Sequence, residues 1–360
     1  MRWFMLLSLV LTITGCSLTA SAPNPPLHIL VDVEGHAEVK RSDWQSYAPA
    51  MFGTMLTSGD ELRVQGRATI VCSDLQLIVV DDHQGIIPCG AETHILSYPL
   101  LEAVGSSHSH GDSIPLVITP LQGRLLDPRP QIRWTPAHDA EGYRVTLLRS
   151  VTLLTDERVV WERDVGAVTS MDFPDDVAAL EPGVAYQFVV AVANDPQRSS
   201  QQDERFLRNP NLVRLLSARD TELISAYTEQ IAALGLDPTA QKLVLATLYY
   251  QQRLTIDALA LLADAPDEPV ISYVRGMIYL QINASLAEEA FQQALAQSLE
   301  RNDLEGQGVA LRILSRLALI QDDQAASMAY LRASLEIYRQ IGATETVRRF
   351  EASLAALAEE

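Results

Sequence analysis

Residues 243–265 read LVLATLYYQQRLTIDALALLADA, and the spacing of small against large side chains in this stretch decides the architecture of the C-terminal part. Ala246, Ala258 and Ala265 are small and Tyr249 and Leu262 large, at spacings that recur further along the chain. The theme returns at Gly276, Tyr279, Ala287, Phe291 and Ala294. It appears again at Leu314, Leu317, Ala326, Tyr330 and Ala333, after a connection containing Asn302-Asp303. A helix pair of this kind has an apolar stripe it cannot bury alone, so three successive versions predict stacked neighbours in a solenoid. Pro210 and Pro238 suit first-turn positions, Asn209 and Asp237 suit N-caps, and Gly235 suits a helix end. An all-α region is therefore expected over residues 209–360.

Upstream of this region the apolar rhythm shortens from a period of 3.6 to one of 2. From Leu27 to about Tyr98, short runs of valine, isoleucine and threonine alternate with glycine and aspartate, which predicts strands. The runs are Leu27 to Val33, Ala37 to Lys40, Asp60 to Val64, Ala68 to Cys72, Leu75 to Val80 and Thr93 to Leu96, with turns at Glu34-Gly35, Ser58-Gly59, Ser73-Asp74 and Asp82 to Gly85. Gly105 to Ser113 is small and polar and reads as a linker. Strand rhythm resumes from Ile114 to Asn194, where Pro128, Pro130, Pro136, Pro174 and Pro182 exclude long helices. A second polar linker is expected at 195–208. The fold class expected is multidomain: an all-β domain at 27–104, a β-sandwich at 114–194 and an all-α solenoid at 209–360.

Three resemblances fit this division. Gly35, Ala37, Glu38, Val39 and Trp44, then Gly59, Asp60, Glu61, Leu62 and Arg63, then Arg67, Ala68, Thr69 and Ile70, resemble the FecR domain, an extracytoplasmic β module. Ser73-Asp74 stands where that family has an aspartate-glycine turn, two cysteines are added, and no anti-sigma segment precedes the module. Pro130, Ile132 and Trp134, then Gly142, Tyr143, Val145 and Leu147, then Leu180, Pro182, Gly183, Tyr186, Phe188, Val190 and Val192, resemble a fibronectin type III or immunoglobulin-like sandwich, in which Val159, Val160 and Trp161 would form a middle strand. The C-terminal units resemble tetratricopeptide repeats, although Arg253 stands where a glycine often ends the first helix. That resemblance implies a groove for a protein segment on the first helix of each pair, with Arg275, Gln281, Arg312 and Arg316 as partner-binding candidates and the aromatics as core.

The amino terminus carries the reading of location. Arg2, an apolar run from Trp3 to Ile13, and Thr14-Gly15 before Cys16 resemble a bacterial lipoprotein signal spanning residues 1–15. The run is too short to cross a bilayer, which needs about 20 apolar residues. Lipid on Cys16 is expected, followed by a polar tether at 16–26, giving an extracytoplasmic protein held on a bacterial membrane, at the periplasmic face of the outer membrane where one exists. With Cys16 assigned to lipid, Cys72 and Cys89 are the one possible intramolecular pair; export favours a bridge, and two buried thiols are the alternative. A formal charge of −19 argues against nucleic acid as partner. No phosphate loop, nucleophile elbow or zinc-protease histidine pair occurs, and the adjacent acids Asp81-Asp82, Asp175-Asp176 and Asp322-Asp323 point to different faces. His108 and His110 read as solvated linker residues. Neither catalytic residue, metal nor cofactor is expected, and the chain reads as a non-enzymatic envelope protein that captures protein partners; the alternative is a FecR-type sensor or relay acting through a separate transmembrane protein.

Overall fold

The computed structural model describes residues 25–90, 95–97, 113–150, 157–203, 211–281 and 283–359. The signal segment with Cys16, the linker pair His108 and His110, and the cap Asn209-Pro210 lie outside the described residues. Strand-rich sheets occupy the N-terminal part and eight helices the C-terminal part of what is described.

In the first sheet the long antiparallel strands β1 (His28–Lys40) and β4 (Glu61–Val71) form the spine. Strands β2 (Ala48–Ala50) and β3 (Met55–Leu56) pair with β1, and β5 (Leu77–Asp81) and β6 (Gln84–Ile86) pair with β4. The turn expected at Glu34-Gly35 is absent, because Gly35 sits in mid-strand opposite Gly66. Both have positive φ, and a Cβ on either would lie 2.2 Å from a carbonyl oxygen of the facing strand. Only glycine fits such an approach. The four runs read as separate strands are thus halves of two continuous ones. Val39, Leu62 and Ile70 alternate inward, while Asp32, Glu34 and Gln65 remain outside the core.

The second β region holds two sheets. One contains β7 (Val117–Thr119), β9 (Ile132–Trp134) and β12 (Ser170–Met171). The other runs β11 (Glu157–Val165), β10 (Tyr143–Ser150), β13 (Ala185–Val192), β15 (Val213–Leu215) and β8 (Gly123–Leu125), with β14 (Asp195–Ser199) beside β13. Trp134 from one sheet and Tyr143, Trp161 and Phe188 from the other share a single core, with Trp161 edge-on to Phe173 and Phe188. Tyr186 closes the corner by accepting the Glu181 N–H at its hydroxyl, 3.1 Å away. Asp195–Ser199, read as linker, is a strand whose polarity reflects its exposed outer position. Val213–Leu215 belongs to the sandwich although the periodicity placed it with the helices; three residues are too few to show a period. Strand β11 lies at the sheet edge, burying Trp161 while leaving Val159 and Val160 exposed.

The helices begin at Ala218, capped by Ser217. They are α1 (Ala218–Ala233), α2 (Pro238–Gln251), α3 (Thr255–Leu262), α4 (Pro269–Tyr279), α5 (Ala284–Glu300), α6 (Leu304–Ile320), α7 (Gln324–Ile341) and α8 (Thr344–Glu359). Asp237, Asn283, Asp303 and Asp323 each accept first-turn N–H groups at the starts of α2, α5, α6 and α7. Such a cap contributes about 1 kcal/mol. Arg253, Asn302 and Asp322 take left-handed φ values at the turns after α2, α5 and α6, so the arginine does the work glycine does elsewhere. The two helices of a pair interlock as the small residues require: a Cβ on Gly276 of α4 would meet the Phe291 ring of α5 at 2.8 Å.

The sheet and the helices do not form separate cores. Leu27, Ile29, Val31 and Met55 share one cluster with Leu243, Ile271 and Val274, and Leu30, Val39 and Trp44 share another with Leu335, Tyr338 and Ile341. The N-terminal sheet therefore lies against α2, α4 and α6, the first helices of the three pairs, and against the end of α7.

Candidate functional site

The seam between sheet and helices is closed by one arginine. Arg41, just beyond β1, donates Nε and Nη2 to the two carboxylate oxygens of Glu305 at 3.0 and 2.6 Å, Nη2 to the Met55 carbonyl at 2.7 Å, and Nη1 to Asp60. Its guanidinium also lies 5.6 Å from the Trp44 ring. The same Asp60 oxygen takes the Thr57 backbone N–H at 2.6 Å and its hydroxyl at 3.0 Å, so three donors converge on it. A planar fork between two carboxylates is a task for arginine rather than lysine.

Backbone bonds continue the seam. Gln45 and Ser46 donate to the carbonyls of Gly342 and Ile341 at 3.1 and 3.3 Å, and Trp44 bridges to Ala343. Gly342 ends α7 in the left-handed conformation, and a Cβ there would press on Gln45 at 2.9 Å. At the other end Ser97 donates its N–H to the Gln251 side chain at 3.1 Å, and the Gln251 amide donates back to the Ser97 carbonyl. The sandwich joins through Arg124, whose N–H donates to the Arg253 carbonyl at 2.9 Å.

Cavities lie along this seam among the described residues, and two of them bear on the site. The smaller, about 80 Å³, lies among Phe52, Met55, Val270 and Tyr273, with Asp303 at its margin. Burial pushes the Asp303 carboxyl up to about 6, against the Gly306 N–H it accepts. The larger, about 400 Å³, lies between Trp44, Tyr338 and Phe350 and carries Arg312 and Arg349 beside the Arg41–Glu305 pair.

The sequence candidates separate accordingly. Arg275 donates to the carbonyls of Leu262 and Ala265 and so caps the end of α3. Gln281 donates to the Tyr250 hydroxyl at 3.2 Å, a bond between adjacent pairs. Arg312 faces the larger cavity, and Arg316, one turn on, is exposed. The four do not make one groove, because the chain's own sheet covers much of the face on which that groove was expected. Arg41 and Arg349 carry no local sequence signal, and Trp44 stands out only within the FecR-like pattern, since nothing local ties residues near 41 to residues near 349.

Cys72 and Cys89 sit at disulfide-bonding distance, with Cα atoms 5.6 Å apart. The buried His28 ring lies near them, and all three offer ligand atoms within 4.8 Å. The chemistry of this trio does not fit a metal. His28 Nδ1 accepts the Ser73 N–H at 3.0 Å, which puts the ring proton on Nε2, 3.3 Å from the Ser58 hydroxyl, and leaves neither nitrogen a free lone pair. Burial lowers the His28 pKa, opposed by Asp74 and Asp60, and keeps the ring neutral.

No family model matches the chain, and no curated protein matches it. No helix among the described residues is long and apolar enough to cross a membrane.

Proposed function

We propose that this protein is a lipid-anchored, non-enzymatic component of a bacterial cell envelope that captures protein partners at the seam between its N-terminal sheet and its helical pairs. In this reading the sheet is a FecR-like module, the middle region a fibronectin type III or immunoglobulin-like sandwich, and α2 to α7 three tetratricopeptide-like units. The observation that carries the reading is the larger seam cavity, where Arg312 is half-buried with no acceptor among the described residues. Lipid on Cys16 holds the protein in a thin layer and raises its effective concentration for partners there. The relay alternative draws on a different observation, the cores shared by sheet and helices, through which occupancy of one would be felt by the other.

Proximity labelling from the native envelope tests the capture reading, with Cys16→Ser as comparison. The expected outcome is an acylated first residue by mass spectrometry, a defined labelled neighbour, and loss of both membrane association and that labelling in the variant. An unmodified mature terminus, or equal labelling from both forms, would overturn it.

A further inference from the structure

Arg312 is a half-buried guanidinium on α6, and neither a carboxylate nor any other acceptor among the described residues reaches it. Arg349 of α8, an exposed residue, lines the same cavity and its guanidinium makes one bond of 3.3 Å, to the Thr346 hydroxyl, with Glu345 feeling its charge. Glu345 itself is held by Arg348. The single acid lining the cavity, Glu305, has both oxygens occupied by Arg41. Asp43 at the rim accepts the Thr346 hydroxyl at 3.3 Å. In a chain with a formal charge of −19, two guanidinium groups left over at one cavity are unusual. The walls beside them are aromatic: Trp44, Tyr338 and Phe350 are each more than nine-tenths buried yet border the space.

From this geometry we infer that the larger cavity is a recognition site for a peptide carboxy terminus ending in an apolar residue. The inference rests on the capture reading above and adds the chemistry of what is captured. A carboxylate matches the fork of a guanidinium, and a second arginine completes its neutralisation. The aromatic walls take the apolar side chain, and a volume of about 400 Å³ is within the range of small-ligand sites. A dianion fits less well, since Glu305 and Asp43 stand close and the whole chain is acidic. Arg316, one turn along α6 from Arg312, is exposed and does not line the cavity.

The test is calorimetric titration of the full lipidated chain in detergent with N-acetyl-Ala-Ala-Phe bearing a free carboxylate, with the same peptide as its carboxamide, and with inorganic phosphate. The acid is expected to bind, with the carboxamide and the Arg312→Gln variant each weaker by about tenfold or more. Phosphate is expected to compete weakly. An unchanged melting temperature in Arg312→Gln separates lost recognition from lost folding, and Arg349→Gln, on another helix, gives a second independent reading. Equal binding of acid and carboxamide, no binding of either, or phosphate binding as tightly as the acid with the same arginine dependence would overturn the inference. Should Arg312→Gln still label its envelope neighbours as wild type does, capture would stand and carboxylate recognition would fall.

Discussion

Arg41 shows how much of this molecule hangs on single side chains. Truncating it leaves Asp60 and Glu305, with side chains 5% and 20% exposed, as uncompensated carboxylates in a closed seam. Losing one partner of such a buried set typically costs about 3–5 kcal/mol. Arg41→Ala is therefore expected to lower the denaturant midpoint sharply, and Glu305→Gln in that background to restore part of the loss, which equilibrium unfolding of the double-mutant cycle measures. Asp257 makes the opposite contribution. Burial raises its carboxyl to about 6, with Asp127 adding to the rise, while the Leu126 N–H of the sandwich opposes it. Between the ordinary carboxylate range and about 6 the folded state binds more protons than the unfolded one, so this group's contribution to stability is present at low pH and is lost as pH rises through about 6. Asp257→Asn keeps an acceptor for Leu126 without the buried charge. Its melting temperature is expected to equal that of wild type near pH 4 and exceed it at pH 8; a constant difference would rule the charge out as the cause.

Among the elements, the helices were the most legible part of the sequence and the long strands the least. Asp237 with Pro238 marks the start of α2 as read, because a cap and a first-turn proline act within three residues. Strands β1 and β4 were each read as two, because Gly35 and Gly66 look like turn residues until they are seen facing one another. A glycine required by a neighbour 31 positions away gives no local sign of it. Gly53 is the same kind of case at the seam: its φ is +84°, and a Cβ there would lie 2.2 Å from Val270 of α4. Gly53→Ala is expected to destabilise by more than the roughly 1 kcal/mol of a left-handed alanine, since sheet and α4 must also part. The companion change Val270→Ala removes both methyl groups but keeps the Val270 Cβ, 2.5 Å from the added carbon, so it relieves the clash only in part and the pair together should cost somewhat less than the sum of the two singly, a comparison that thermal unfolding makes directly.

At the scale of the whole molecule, the sequence suggests three modules on linkers, whereas the N-terminal sheet and the helices share their largest cores and the sandwich keeps its main core to itself. Period and propensity report what each segment does locally, and nothing in them says that Leu27, Ile29 and Val31 will be buried by Leu243 and Ile271. The sandwich closes a core of its own, around Trp134, Trp161 and Phe188, and meets the rest through Leu121, in the cluster of sheet and helices, and Leu126, beside Ile224 and Leu254. Sheet and helices should therefore unfold as one cooperative unit and the sandwich as another, since cooperativity follows shared burial rather than sequence order. Trp44 offers a probe of the first unit, being 6% exposed at the seam, while Trp134 and Trp161 belong to the second. With Trp134→Phe and Trp161→Phe in place, Trp44 fluorescence and far-ultraviolet helix signal should share one denaturant midpoint. Reducing the Cys72–Cys89 link, which by loop entropy contributes about 3 kcal/mol, should move both signals together although neither of these two cysteines lies in a helix. If reduction shifts the Trp44 transition and leaves the helix transition in place, sheet and helices are independent modules after all, and the seam cavity would be a gap between neighbours rather than part of one folded body.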